Sequence, residues 1–236
     1  MRTERFGELT VRLVGGDDGR GSGDGPLVVL LHGFGAPGTD LVPLAQVMDV
    51  PAVTRFAFPE APLGLPAAYG GGRAWWMLDM MKIQEAMLRG VPRDLRGELP
   101  EGLRDAQAKL AETLDALVAE VGPGPGILLG GFSQGAMLSC DHALFDDRPL
   151  AGLALLSGAY VAQEWWQARF PTRAGLKVFQ SHGRRDPVLP FDGAESLRDA
   201  MRGADWEVEW HPFGGAHEIP MDVLAGLSAH VRAVFP

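Results

Sequence analysis

The chain has 236 residues, 46% hydrophobic and 22% charged, with a formal net charge of −9. That acidity disfavours nucleic acid as a partner, because phosphates are held by the Lys and Arg side chains that displace counterions. The length suffices to bury a large core without covalent staples, and the single Cys140 excludes both an intramolecular disulfide and a cysteine-based zinc cluster.

The opening MRTERFGELT is too polar for the apolar region of a signal peptide. No apolar stretch approaches the roughly 20 residues needed to span a bilayer, so a soluble, cytoplasmic protein is expected. GELTVRLV alternates as an opening strand does, and GGDDGRGSGDGP after it is turn-rich. LVVLLHGFG is a continuous apolar run ending in glycines, which predicts a strand buried on both faces. TDLVPLAQVM predicts a helix with Pro43 in its first turn, and AVTRFAFPEAP a strand closed by prolines. Residues 62–100 are too long for a plain connection, which predicts a functional loop of the flap or lid-like kind or a segment carrying its own short helix.

From Glu101 the spacing of Leu103, Leu110, Leu114, Leu117 and Val121 lines one helical face, stopped by GPGPG. ILLGGF then predicts a strand, and QGAMLSCDHALF an amphipathic helix. Three more apolar runs follow, LAGLALLSG, LKVFQSHG and WEVEWHPF, with GAESLRDAMR between the last two and a closing helix in IPMDVLAGLSAHVRAVF. Strands alternating with helices predict one α/β domain over residues 1–236, its mostly parallel central sheet covered by helices on both faces.

Between the ILLGGF strand and its helix lies Gly-x-Ser-x-Gly, residues 131–135. In that context the glycines permit a sharp turn that presents Ser133 as a nucleophile at the sheet's carboxyl edge. A serine hydroxyl needs a base, and the base needs an orienting acid. Asp186 lies just past the LKVFQSHG strand, with Asp192 as its local rival, and His217 lies in GGAHEIP before the last helix. The order Ser, Asp, His suits this architecture. His142 and His230 fall in helices, His182 and His211 in or beside strands, and His32 in another part of the site. The N–H groups of Gln134 and of Phe34, in LHGFGAPG, are the expected oxyanion donors. Cys140, seven residues into the helix, is poorly placed as a nucleophile.

Taken in order, LHGFG, FPEAP, GGGRAWWML, GGFSQGAML, LSGAY, HGRRDPVLP and GGAHEIP resemble the phospholipase/carboxylesterase, acyl-protein thioesterase-like, branch of the α/β-hydrolases. The resemblance covers nearly the whole chain. It implies the α/β-hydrolase fold, the same triad Ser133, Asp186 and His217, and the same oxyanion pair Phe34 and Gln134. It also implies a serine carboxylesterase working through an acyl-enzyme on a small-molecule ester or acyl substrate, without cofactor or metal, and a frequent tendency to homodimers. The chain departs from the family pattern at Met77 or Leu78, where an Asp or similar residue is usual, and at Ala136, where a second glycine is common.

Trp75, Trp76, Met77, Met80, Met81, Met87 and Leu88 form a Trp- and Met-rich stretch suited to a substrate wall or flap, since methionine packs adaptably on irregular ligands. Trp165 and Trp166 are candidates for the opposite wall. Two other readings remain open: a thioesterase or lysophospholipase acting on long acyl chains, and a non-catalytic member of the fold that binds an apolar ligand.

Overall fold

Side-chain alternation along the central strands sorts the core onto two faces. In the computed structural model, which describes every residue except 68–70, 80, 83–84, 86–87 and 89–93, strand β3 (Leu27–Leu31) is buried throughout. Its Leu27, Val29 and Leu31 join one apolar cluster, and Val28 and Leu30 the other. The same division holds on β7 (Ile127–Phe132), where Ile127 and Leu129 oppose Leu128. It recurs on β8 (Gly152–Leu156), where Leu153 and Leu155 oppose Ala154 and Leu156. Period-two geometry sends successive residues to opposite faces, so a strand buried on both faces must be apolar at every position.

The sheet has eight strands in the order β1-β2-β4-β3-β7-β8-β9-β10, where β1 is Arg2–Phe6, β2 Leu9–Gly15, β4 Arg55–Pro59, β9 Lys177–Gly183 and β10 Glu207–Phe213. The pairs β1/β2 and β2/β4 are antiparallel and the remaining pairs parallel. A two-stranded hairpin, β5 (Leu63–Gly64) and β6 (Arg73–Ala74), stands apart. The carboxyl ends of β3, β7, β9 and β10 therefore open on one edge, where parallel α/β sheets carry their sites.

Helices cover both faces. On one lie α2 (Leu103–Val121), α3 (Gln134–Phe145) and α4 (Gln163–Gln167), and α5 (Phe191–Gly203) adds Leu197 and Met201 to that core. The other face receives α6 (Met221–Val234) through Val223, Leu224, Leu227 and Val231. Each buried leucine of this kind contributes about 2 kcal/mol. The helix expected in TDLVPLAQVM is only the four residues of α1 (Leu44–Val47), with Pro43 as its N-cap.

Helix α3 differs from the expectation of an amphipathic helix: Gln134 through Leu144 are all buried. Ser139 and Asp141 are bonded inside the core, whereas the His142 ring has no hydrogen-bond partner among the described residues. Asp141 accepts from the Trp166 indole N–H at 2.8 Å and pairs with Arg104 of α2 at 3.0 Å. Burial raises the Asp141 carboxyl above its ordinary value, against the pull of Trp166 and Arg104. Ala136 fits because Gly158 faces it; a methyl on Gly158 would stand 2.9 Å from the Ala136 Cβ.

Candidate active site

Strand β7 ends and α3 begins on either side of Ser133, which holds φ 55° and ψ −116°. For a residue with a Cβ this is a strained backbone, of the kind that clusters at functional sites and costs about 1–3 kcal/mol. The flanking glycines are required by space. A Cβ on Gly131 would meet the Leu31 carbonyl oxygen at 2.5 Å, and one on Gly135 would meet the same oxygen at 2.1 Å. Sheet pairing continues through the corner, as the Ser133 N–H donates to the Leu156 carbonyl at 2.9 Å. The hydroxyl is thereby raised above the edge of the sheet.

His217 lies between β10 and α6. Its loop is tied to the loop after β9 by hydrogen bonds from Arg184 N–H to Phe213 C=O, 2.8 Å, and from Arg185 N–H to Gly215 C=O, 3.0 Å. These bonds continue the parallel β9/β10 register and hold the two loops side by side. His217 Nε2 stands 2.9 Å from Ser133 Oγ, and His217 Nδ1 stands 2.6 Å from Asp186 Oδ2. The Phe132 ring packs on the imidazole with centroids 4.7 Å apart.

Asp186 has no exposed side-chain surface. Its Oδ1 accepts the N–H groups of Val188 and Leu189 at 2.8 and 2.9 Å. Burial opposes ionisation here, but the His217 hydrogen bond and charge, with the two backbone donors, outweigh it and hold the carboxyl below its ordinary value. His182 lies behind it, with Nε2 donating to the Leu189 carbonyl at 3.1 Å and 3.4 Å from Asp186 Oδ2. The rival Asp192 is on the surface of α5, 3.4 Å from Arg96.

The loop after β3 is pinned from several sides. His32 Nε2 accepts the Ala61 N–H at 3.1 Å, so its Nδ1 carries the proton and donates to the Gly33 carbonyl at 2.8 Å. Burial lowers the His32 pKa, in keeping with this neutral ring. Gly35 N–H donates to Arg73 C=O at 2.9 Å, and Arg73 N–H to Ala36 C=O at 3.0 Å. Glu60 joins Arg12 at 2.6 Å and Arg73 at 3.1 Å, while Arg12 also donates to Gly38 C=O at 3.1 Å. Among the described residues the N–H groups of Phe34, in the loop, and of Gln134, in the first turn of α3 where N–H groups lack intrahelical acceptors, make no hydrogen bond.

The tryptophans divide differently from the expectation of two walls. Trp75 and Trp76 are 2% and 1% exposed and Trp166 is fully buried, all three within the core, so none offers a substrate-facing surface. Trp165, at 55% exposed, Met77, at 49%, Met81, at 83%, and Leu88, at 82%, do face outward. Met80 and Met87 lie outside the described residues. The side chain of Gln134 escaped the sequence reading, which placed His32 in the site without a role; a polar side chain beside a GxSxG serine was the available signal.

With this geometry in place, comparison with known proteins is informative. The phospholipase/carboxylesterase family model matches residues 21–235. Acyl-protein thioesterase 1 of Mycosarcoma maydis is 28% identical over 222 residues, 87% of this chain and 90% of that one. Acyl-protein thioesterase 1 of Eremothecium gossypii is 31% identical over 173 residues, covering 72% and 69%. The crystal structure of esterase PE8 superposes with a TM-score of 0.80 at 30% identity, covering 97% of this chain and all of that one. The chain belongs to the phospholipase/carboxylesterase family of the α/β-hydrolase fold and is a hydrolase of that class. No helix among the described residues is long and apolar enough to cross a membrane.

Proposed function

We propose that the chain hydrolyses carboxylic esters through an acyl-enzyme formed on Ser133. The single observation that carries this reading is the row Ser133 Oγ, His217 Nε2 and Nδ1, Asp186 Oδ2, at 2.9 and 2.6 Å. His217 takes the hydroxyl proton as Oγ bonds to the carbonyl carbon, and Asp186 holds the Nδ1–H and balances the imidazolium charge. The carbonyl oxygen, now an anion, accepts from Phe34 and Gln134 N–H at the head of α3. Collapse of the intermediate breaks the bond to the leaving group, which departs with the proton from His217. Water then attacks the acyl-serine, gives a proton to His217, and the acid leaves as that proton returns to Ser133.

A second reading, hydrolysis of long-chain acyl thioesters or lysophospholipids by the same steps, is supported by the outward Met77, Leu88 and Trp165. It is supported too by relatives named acyl-protein thioesterase. Incubation with a fluorophosphonate, followed by peptide mapping, tests the common mechanism. One adduct per chain on Ser133 is expected. Absence of labelling in a protein that still hydrolyses esters would overturn it, and absence of both would favour the binding-only reading. Rates for p-nitrophenyl esters of about 2 to 16 carbons, beside one acyl thioester, separate the two substrate classes.

A further inference from the structure

The two proposed oxyanion donors sit on different strand ends, Phe34 after β3 and Gln134 after β7, so something must set the distance and angle between them. The Gly33–Phe34 peptide is planar and trans, which aims its C=O and N–H in opposite directions. Whatever holds the Gly33 carbonyl therefore aims the Phe34 N–H, and it is held by the His32 ring at 2.8 Å and, more weakly, by the Ala36 N–H at 3.4 Å. The loop also lies against the nucleophile, since a methyl on Gly33 would sit 3.3 Å from Ser133 Cβ.

Trp75 connects this loop to the other donor. Its indole Nε1–H donates to the His32 carbonyl at 2.9 Å. Its backbone N–H donates to Gln134 Oε1 at 2.9 Å, and Gln134 Nε2 donates to the neighbouring Trp76 carbonyl, also at 2.9 Å. The Gln134 side-chain amide is thus paired with the 75–76 backbone by two bonds, while its own backbone N–H is left free for the site. We propose that Trp75 is a positioning residue of the oxyanion hole, a brace whose two N–H groups lock the β3 loop and the head of α3 in mutual register. This rests on the oxyanion role given above to Phe34 and Gln134. Trp75 is too deeply buried to act as a substrate wall, so its effect belongs to the transition state.

Trp76 supplies an internal control, because its indole nitrogen is buried and has no hydrogen-bond partner among the described residues. Trp75→Phe and Trp76→Phe each trim one buried indole to a phenyl ring, but only the first removes a bond to the site. Losing a whole oxyanion donor costs on the order of 100–1000-fold, and a donor misdirected but still present should cost about tenfold. The expected result for Trp75→Phe is a roughly tenfold lower kcat on p-nitrophenyl butyrate with KM within about twofold. A trifluoromethyl ketone inhibitor should weaken by the same factor, and the corresponding thionoester, whose sulfur accepts hydrogen bonds poorly, should lose less. Trp76→Phe should leave kcat and ketone affinity within about twofold. Gln134→Met, which keeps the backbone N–H and removes the amide, should reproduce the Trp75→Phe pattern and serves if Trp75→Phe does not fold.

Unchanged kcat and ketone affinity in a folded Trp75→Phe or Gln134→Met would overturn the brace. So would equal losses in the two tryptophan variants, or a change confined to KM. All rates are taken per fluorophosphonate-titrated site in folded protein. Wild-type protein that hydrolyses esters without labelling would instead break the underlying mechanism, whatever the tryptophan variants do.

Discussion

Ser133 carries a backbone that its side chain disfavours, and the cost is visible as a trade between stability and chemistry. Glycine adopts φ near 55° without the Cβ clash. Relief of about 1–3 kcal/mol of strain, less about 0.4–1 kcal/mol for the freer unfolded chain, leaves Ser133→Gly more stable by about 1 kcal/mol. In a chain of this size that is a rise in Tm of about 2–4 °C, accompanied by loss of activity. A calorimetric scan showing Ser133→Gly less stable than wild type would mean that the corner is not strained. The nucleophile and its strained corner were legible from the GxSxG spacing; what was not is the reason both flanking residues must be glycine, the Leu31 carbonyl on a strand about a hundred residues earlier.

Among the elements, the buried strands and helix α2 were the most legible. Five apolar positions at helical spacing ran from Leu103 to Val121, and α2 spans those bounds with Gly102 as its cap. Strand β1 was missed, since it is an edge strand whose Thr3, Glu4 and Arg5 face solvent, leaving no apolar alternation to read. Helix α3 misled in the other direction. Its Asp141, His142 and Ser139 suggested a solvated face, but they are buried because α2 and α4 pack over them and supply Arg104 and Trp166. The Trp75–Trp76 pair misled for a similar reason. An aromatic run beside a predicted flap has the composition of a pocket wall, and only the fold shows that the Trp75 N–H, the Trp75 indole and the Trp76 carbonyl are taken up by Gln134 and His32.

At the scale of the whole molecule, burial of titratable groups sets how the fold responds to acid. Burial lowers the pKa of His32, His142, His182 and His230, taking His142 from 6.5 to about 4. Each lowered histidine binds its proton more readily in the unfolded chain, so stability is complete above pH 6.5 and falls as the pH drops toward each folded value. A full proton of difference is worth about 1.4 kcal/mol per pH unit. The raised Asp141 works in the opposite sense and offsets part of this. The lowered Asp186 adds a further loss only as the pH falls from the ordinary carboxylate value through its folded one. Urea midpoints should therefore fall between pH 7 and pH 4, and His142→Gln, whose parent ring makes no hydrogen bond among the described residues, should flatten that decline. An identical slope in wild type and His142→Gln would show that the buried imidazole is not responsible.

The convergence of three loops on Ser133 is the claim from which the rest follows, and hydrolysis by the Ser133→Ala protein tests it most directly. The Cβ is retained, so the corner, the oxyanion donors and the His217–Asp186 pair should all survive. The expected result is a kcat on p-nitrophenyl butyrate lower by about 10⁴-fold or more, in a protein with wild-type fold. A kcat within about tenfold of wild type, measured on material free of residual wild-type enzyme, would contradict the account.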